Sequence, residues 1–176
     1  MKDTIICLVG ESGSGKTTIA MAFEAIGYNV ISSYTTRPPR ETDEWGHTFV
    51  DGAVLQEHLD MQDYIVAYKF YDGFHYWATR DQYQGHGVSI YVVDPDGIEM
   101  LRTKVTDARI NVIYLKADKE ERICRMKDQG RSVLDVGRRV GYDRTAFRLI
   151  RCDYVVDANG SIEDTICRVN DLIKGL

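Results

Sequence analysis

Short runs of apolar, mostly β-branched residues recur along the chain and alternate with segments whose apolar residues repeat every three or four positions. Such runs are typical of strands buried on both faces of a parallel sheet, and the longer repeat is typical of amphipathic helices. The runs lie at residues 4–9, 28–32, 88–94, 110–115 and 154–156. The clearest helical stripe consists of Ile162, Ile166, Val169 and Ile173. This alternation predicts an α/β fold with a central parallel sheet.

The segment between residues 33 and 86 interrupts this alternation and is rich in aromatic residues. Short strands are predicted at residues 47–50 and 64–68, and Asp72 with Gly73 forms a hairpin signal. Asp51 is placed to cap a short helix between the two strands. Some of the aromatic side chains must be core, and others are suited to stack on a base.

A glycine-rich stretch joins the first predicted strand to the first predicted helix. Residues 10–17 fit G-x-x-x-x-G-K-[ST], the phosphate-binding loop or P-loop. The backbone N–H groups of such a loop point at one spot, where Lys16 would reach the β- and γ-phosphates of ATP and Thr17 would bind Mg²⁺. The residues expected to hold ATP are Gly10, Ser12, Gly13, Ser14, Gly15, Lys16, Thr17 and Thr18. The alternative is a glycine-rich turn that binds nothing.

A segment stiffened by prolines, residues 33–40, follows the second predicted strand. Its two prolines exclude a helix and hold the backbone extended. In an extended chain with three residues per turn, Arg37 and Arg40 point the same way and form a clamp for a phosphate. The alternative is a basic loop in solvent.

The charge is unevenly distributed along the chain. A net charge of −5 argues mildly against a nucleic-acid partner. Between residues 122 and 151, however, nine basic residues are offset by only three acidic ones. This excess favours binding of an anion, although pairs such as Asp135 with Arg139 also fit a solvated helix face.

The cysteines and the apolar stretches of the chain give an expectation for the cellular compartment of the protein. The four cysteines show neither a C-x-x-C pair nor zinc spacing, as expected for a protein in a reducing compartment. No apolar stretch approaches the roughly 18 residues of a membrane span, and the chain enters a strand at once, so no signal peptide is expected. We therefore expect a cytoplasmic protein, monomeric or homodimeric, with no membrane or nucleic-acid partner.

The P-loop followed by S-Y-T-T-R-P-P-R at residues 33–40 resembles the guanylate kinase family, and the resemblance covers essentially the whole chain. It implies a P-loop kinase that phosphorylates a nucleoside monophosphate with ATP and Mg²⁺. It also implies a three-layer core at residues 1–32 and 87–176, an inserted acceptor-binding subdomain at residues 33–86, and an arginine-rich lid near residues 125–139.

The resemblance also implies roles for residues that match the family's motifs. Ser33, Arg37 and Arg40 match positions that bind the acceptor's phosphate, and Tyr76 matches a tyrosine that does so. His47 falls where the family has another such tyrosine, and could still donate a hydrogen bond. The alternative for His47 is a surface histidine.

Asp94 ends a predicted strand, where an acid could bind Mg²⁺ through water beside Thr17 or contact the acceptor. It also suits the N-cap of a helix that begins with Pro95. In the basic segment, arginines resemble those of the family's lid, which would neutralise transition-state charge and exclude water. The residues expected to act in catalysis are Lys16, Arg37, Arg125, Arg131, Arg138 and Arg139.

The chain departs from the family where the guanine base would be recognised. The family's guanine-reading glutamate aligns with Val66 or, without a gap, with Ala67, and a small hydroxyl residue is replaced by Ala78. Without this glutamate, the N–H groups of a bound guanine would have no acceptor, and leaving buried polar groups unpaired is costly. The sequence therefore does not support a preference for guanine. The expected function is phosphorylation of GMP, dGMP or a related monophosphate. Alternatives are a kinase of another phosphorylated acceptor, such as ribose 1,5-bisphosphate, and a binding module without catalysis.

Overall fold

The computed structural model describes residues 2–176, which form two sheets and six α-helices. The strands are β1 (Asp3–Val9), β2 (Asn29–Ile31), β3 (Ser33–Thr35), β4 (His47–Phe49), β5 (Ile65–Tyr71), β6 (Phe74–Thr79), β7 (Val88–Val92), β8 (Ala108–Lys116) and β9 (Tyr154–Asp157). The helices are α1 (Lys16–Ala25), α2 (Gly52–Asp60), α3 (Pro95–Lys104), α4 (Lys119–Asp128), α5 (Val133–Ala146) and α6 (Ile162–Lys174). A 3₁₀ turn lies at Arg80–Gln82.

The core sheet is parallel throughout and has β1 at its centre, in the order β2-β7-β1-β8-β9. Ile6 and Leu8 of β1 pack in one hydrophobic cluster with α1 and α6, whereas Ile5 and Cys7 pack in a second cluster with α3. Both faces of the sheet are therefore buried, as the apolar runs predict. The predicted α/β sandwich with a central parallel sheet is confirmed, and the carboxyl ends of β1 and β7 meet at the edge where ligands bind in such sheets.

The second sheet is mixed and has the order β4-β3-β6-β5. One of its faces packs on α2 around Leu55 and Trp77. Residues from its other face, Ala67 and Ala78, lie in the same hydrophobic cluster as α3 of the core. All of its strands fall within residues 33–86, but the assignment of that range as a separate subdomain stays a prediction, because its apolar packing is continuous with the core.

Local signals in the sequence were mostly met by the structure. The predicted hairpin forms at Asp72 and Gly73, which have φ angles of 52° and 81°. Asp51 caps α2, and Ser161 caps α6 by accepting a hydrogen bond from the Asp164 backbone N–H at 3.1 Å. Asp118 and Glu121 have the spacing of a capping box at the start of α4, which the sequence pattern predicts, but the Asp118 side chain makes no capping bond. Two glutamates in the first turn of α4 complement the helix dipole instead.

Two predicted boundaries also shift. β5 continues to Tyr71 rather than ending at residue 68, because it pairs with β6 up to the hairpin. β7 ends at Val92 rather than residue 94, because the Asp94 side chain accepts from the Gly97 N–H at 2.9 Å and caps α3. No helix within residues 2–176 combines the length and the apolar character that crossing a bilayer requires.

Candidate active site

The predicted P-loop lies between β1 and α1, and its backbone conformation depends on glycine. Gly13 and Gly15 have φ angles of 82° and 94°, in the left-handed region that other residues rarely adopt. A Cβ atom on Gly13 would lie 2.6 Å from the backbone oxygen of Arg122 in α4. The loop is thus packed directly against α4, with no room for a side chain at its bend.

Lys16, in the first turn of α1, folds back over the loop. Its ammonium group donates to the carbonyl oxygens of Gly10 and Glu11 at 2.6 and 3.0 Å, and to the Ser14 hydroxyl at 3.4 Å. Burial lowers the pKa of this ammonium group to about 8, although the charge of Asp143 opposes the shift. The group is therefore still mostly charged at neutral pH and loses its charge within the mildly alkaline range.

Two residues that sequence reasoning did not select hold the loop from outside. The Ser12 backbone N–H donates to a carboxylate oxygen of Asp143 at 2.8 Å, and the buried Arg122 donates to the Ser12 carbonyl oxygen at 3.1 Å. Arg122 also pairs with Glu11 at 3.2 Å. Arg122 belongs to the basic segment in which a lid was predicted, but it was not among the expected site residues, and no local signal connected it or Asp143 to residue 12.

A cleft of about 410 Å³ opens beside the loop, between the carboxyl edge of the core sheet, the second sheet and α5. It is lined by residues from all three. The predicted site residues that line it are Gly10, Ser12, Lys16, Ser33, Arg40, Tyr76, Asp94, Arg138 and Arg139. The structure thus brings the loop lysine and part of the predicted acceptor clamp to one cleft. The predicted residues that do not line it are Gly13, Ser14, Gly15, Thr17, Thr18, Arg37, His47, Ala78, Arg125 and Arg131.

The two arginines of the proline-rich segment converge on one carboxylate. Arg37, whose side chain is 8% exposed, makes two hydrogen bonds to Glu44 at 2.6 and 3.1 Å. The Arg40 side chain is 63% exposed and lies 3.9 Å from the same carboxylate. The Arg37 hydrogen bonds hold the pKa of Glu44 down at about 2. The arginines therefore do face a common point, but an internal acid occupies it, which the spacing of the arginines alone did not indicate.

Buried polar atoms without a partner lie beside this ion pair. They are the Nε atom of Arg37 and the Nδ1 atom of His47. The His47 ring is 5.7 Å from the Tyr76 ring, and burial lowers the pKa of His47. His47 is half-buried rather than on the open surface, and orphaned buried groups of this kind are rare in proteins unless a ligand or water completes them.

The positions that the sequence resemblance aligns with guanine-reading residues of guanylate kinases offer no polar side chain. Val66, Ala67 and Ala78 are all buried in the apolar cluster that joins the two sheets. Of the three, only Ala67 lines the cleft. Lys69, two positions further along β5, also lines it. Lys69 was missed because nothing in its local sequence distinguishes it from a solvated strand lysine.

Lys69 connects the second sheet to the core and to α5. It forms an ion pair with Asp94 and donates to the Tyr142 hydroxyl at 2.8 Å. Burial opposes its charge, but these hydrogen bonds raise its pKa above the ordinary value. Asp94 is therefore engaged twice, as the cap of α3 and as the partner of Lys69.

The predicted lid arginines divide into two groups. Arg131, Arg138 and Arg139 all bond to Asp135, at 3.3, 3.1 and 2.9 Å, and hold its pKa down at about 2. Arg125 instead donates to the carbonyl oxygens that follow β9, at Ala158 and Gly160. Arg138 and Arg139 alone of the four line the cleft. Arg125 faces the loop between β9 and α6. Its guanidinium group is paired with these carbonyl oxygens and with Glu121, one turn earlier on α4.

The predicted metal ligands are Thr17 and Asp94. Within residues 2–176 no three His, Cys, Asp or Glu side chains are grouped as a metal cluster. Mg²⁺ generally takes one or two protein oxygens and completes its shell with water and substrate phosphates, so a hydroxyl and a carboxylate have the right donor chemistry.

Comparison with known proteins reveals similarity in structure. The crystal structure of guanylate kinase from Anaplasma phagocytophilum matches with a TM-score of 0.61 and 19% sequence identity, over 99% of this chain and 86% of that one. The crystal structure of APE1195 matches with a TM-score of 0.53 and 20% identity, over 99% and 97% of the two chains. No protein-family model and no curated protein matches the sequence. At this level of identity the likeness defines the architecture, and the chain has a guanylate kinase-like fold.

Proposed function

We propose that this protein transfers the γ-phosphoryl group of ATP to the phosphate of a nucleoside monophosphate such as GMP or dGMP. The observation that carries the proposal is the shared cleft, which is lined by Lys16 of the P-loop, by Ser33 and Tyr76 of the second sheet, and by Arg40 of the loop between β3 and β4. Lys16 is thus available to the phosphates of ATP and Arg40 to the phosphate of the acceptor. In phosphoryl transfer these two phosphates must lie in line with each other.

The reaction requires no covalent intermediate and no general base. An oxygen of the acceptor's phosphate, already an anion, forms a bond to the γ-phosphorus while the bond from that phosphorus to the β,γ-bridging oxygen breaks and ADP leaves. The loop N–H groups and Lys16 would hold the donor phosphates, and Arg138 and Arg139 would balance the charge of the transferring group. Mg²⁺, when held by Thr17 and Asp94, would add positive charge to the same phosphates.

The acceptor side must exchange partners for this to work. Arg37 is bonded to Glu44, and an incoming phosphate would compete with that carboxylate for its guanidinium group. The unpartnered Arg37 Nε and His47 Nδ1 atoms offer further places for hydrogen bonds to an anion. The fit of these groups to a phosphate supports an acceptor that is itself phosphorylated.

A second candidate acceptor is a phosphorylated sugar, such as ribose 1,5-bisphosphate. It is favoured by the alanines at positions 67 and 78, which are buried among apolar residues and provide nothing to recognise guanine's N–H groups. Lys69 supports it further, because an ammonium group only donates and therefore complements an anion rather than the donor edge of guanine.

One panel of assays tests both candidates. Wild-type protein is mixed with MgATP and with GMP, dGMP, other nucleoside monophosphates or ribose phosphates, and ADP release is measured. Acceptor-dependent release with a nucleotide supports the first candidate, and release only with ribose phosphates supports the second. Lys16→Ala should lose turnover by several orders of magnitude while remaining folded. Absence of turnover with every acceptor would leave a binding module without catalysis.

A further inference from the structure

Asp143 is a buried acid in a region that otherwise gathers positive charge. Its side chain is 4% exposed, and it lies near the end of α5. It accepts hydrogen bonds from the Ser12 backbone N–H at 2.8 Å and from the Ser12 hydroxyl at 3.3 Å. A buried carboxylate is costly unless it is paired, so its position against the phosphate-binding loop calls for an explanation.

Arg122 provides the pairing and completes a clamp. One of its nitrogens lies 3.5 Å from Asp143 and also donates to the Ser12 carbonyl oxygen at 3.1 Å, while another pairs with Glu11 at 3.2 Å. Residue 12 is therefore held at its N–H by an acid of α5 and at its carbonyl by an arginine of α4. A Cβ on Gly13 would clash with the Arg122 backbone oxygen, so the loop is packed closely against α4 beside this clamp.

The charges explain how an acid is tolerated here. Asp143 and Glu11 are balanced by Arg122 and Lys16, so this set contributes no net charge of its own. The positive charge available to an incoming phosphate then comes from the arginines of α5 that line the cleft. Asp143 contributes geometry instead, because it fixes a loop residue that lines the cleft.

The same helix carries the cleft-lining arginines. Arg139 and Asp143 are four positions apart on α5, so they lie on one side of the helix, one turn from each other. A helix anchored to the loop at Asp143 therefore places Arg139 at a fixed distance from the loop. Tyr142, the preceding residue, reaches Lys69 on the acceptor side at 2.8 Å, so the end of α5 contacts both walls of the cleft.

We propose that Asp143 is a positioning residue that fixes the phosphate-binding loop at Ser12 and ties to it the helix that carries Arg138 and Arg139. The loop and the arginines are then held as one site for the triphosphate of ATP. The reaction context rests on the function proposed above, but the anchoring itself is a property of the protein without ligand.

Three variants test this proposal: Asp143→Ala, Asp143→Asn and, as a matched control, Asp153→Ala. Asp153 also accepts from a backbone N–H, that of Val112 at 2.7 Å, and pairs with Arg102 at 3.4 Å, but it does not line the cleft. In the protein without ligand, hydrogen exchange of the loop peptide should become faster in Asp143→Ala and stay unchanged in Asp153→Ala.

Calorimetry with MgATP measures the consequence. Asp143→Ala should weaken binding by at least about tenfold, whereas Asp143→Asn keeps an oxygen that accepts from Ser12 and should weaken it by only about threefold. Because Asp143 acts through Arg139, Arg139→Ala should weaken MgATP binding much less in the Asp143→Ala background than in wild type. If Asp143→Ala fails to fold, both measurements are made on Asp143→Asn, whose weaker, uncharged acceptor should still let the loop peptide exchange faster than in wild type.

Unchanged or tighter MgATP binding in Asp143→Ala would overturn the proposal, and tighter binding would mean that the carboxylate competes with a phosphate. Additive effects of the Asp143 and Arg139 substitutions would overturn the link through α5. The exchange result is obtained without nucleotide, so it separates failure of this inference from failure of the proposed kinase function. If exchange of the loop is unaffected, the anchoring role is wrong whatever the protein phosphorylates.

Discussion

The two regions proposed to bind phosphates, the loop around Lys16 in the cleft and the arginine pair at its border, are built in different ways. The loop around Lys16 is a backbone structure, shaped by glycines and clamped by buried residues from α4 and α5. The acceptor region around Arg37 and Arg40 is a set of side chains in an extended segment, and an acid from the same segment already pairs with it. The backbone of the first is already shaped without a ligand, and only Lys16 has to leave the carbonyl oxygens on which it lies, whereas the second must release a charged partner.

This difference has a physical consequence for binding. Backbone N–H groups held in place lose little freedom when a phosphate arrives, so the donor side is preorganised. On the acceptor side, a phosphate must take over Arg37 from Glu44, and the cost of breaking that pair reduces the affinity. We therefore expect substitutions on the donor side to act through strain, and substitutions on the acceptor side to act through charge.

Alanine substitutions at two glycines should reveal the largest contrast. Gly13 and Gly46 both have positive φ angles, 82° and 88°, but a Cβ on Gly46 meets nothing within 4 Å. Gly13→Ala adds a contact at 2.6 Å with the Arg122 backbone oxygen to the backbone strain. Its expected cost is about 2–5 kcal/mol of unfolding free energy, against about 1–2 kcal/mol for Gly46→Ala.

Denaturant unfolding and MgATP titration measure both effects. Gly13→Ala should also lose most of its affinity for MgATP, whereas Gly46→Ala should retain it. Equal losses of stability in the two variants would mean that the loop shifts freely and is not held rigidly by α4. The contrast between a fixed and an adaptable region would then be wrong.

The Arg37–Glu44 pair provides the second test. Glu44→Gln leaves the largely buried guanidinium group without its charged partner, and we expect a loss of about 1–3 kcal/mol, moderated because glutamine keeps an oxygen that can accept from Arg37. Inorganic phosphate should restore part of this loss by taking the place of the carboxylate, and should raise the melting temperature more in Glu44→Gln than in wild type.

Asp107→Asn is the matched control for that experiment. Asp107 pairs with Arg80 at 2.8 Å, and its pKa is also lowered to about 2, but neither residue lines the cleft. It should lose stability without any added response to phosphate. If phosphate stabilises both variants alike, Arg37 acts only as a structural partner of Glu44.

How much could be read from the sequence also differs between the two regions. The loop motif, the flanking strand and the helix are contiguous, so the strand, the loop conformation and the helix could be predicted from local pattern alone, including the glycines that the φ angles require. The parallel sheet could be predicted because strands buried on both faces are apolar throughout. The residues that clamp the loop could not, because Asp143 lies 131 positions from Ser12 and only the fold brings them together.

The charge pairs of the proposed acceptor side were harder to predict, because the local sequence around their members contains no recognisable motif. Glu44 stood in a polar acidic loop with nothing to mark it as the partner of Arg37. Lys69 stood in a strand, and its pairing with Asp94 depends on how the second sheet packs against α3. Motifs defined by a local backbone conformation can thus be predicted from the sequence, whereas ion pairs between residues distant in sequence are found only once the structure is known.

The smallest expected effect is the dependence of binding on pH. It should differ between MgATP and the acceptor, because one region contains a lysine and the other contains arginines. Burial lowers the pKa of Lys16 to about 8 in the free protein, and phosphates beside it would raise that pKa again. Binding of MgATP should therefore take up a proton, and its affinity should fall by about tenfold between pH values of about 7 and 9. The arginines of the acceptor side stay charged over this range, so acceptor affinity should be nearly constant.

Calorimetry in two buffers of different ionisation enthalpy detects the proton uptake directly, because the apparent enthalpy of MgATP binding then depends on the buffer. In Lys16→Ala the remaining weak binding should lose both its buffer dependence and its decline above a pH of about 8. An equal decline in this variant would assign the titration to another group. The charge of Lys16, which lies on the carbonyl oxygens of Gly10 and Glu11 in the free protein, would then not be linked to the pH dependence of MgATP binding.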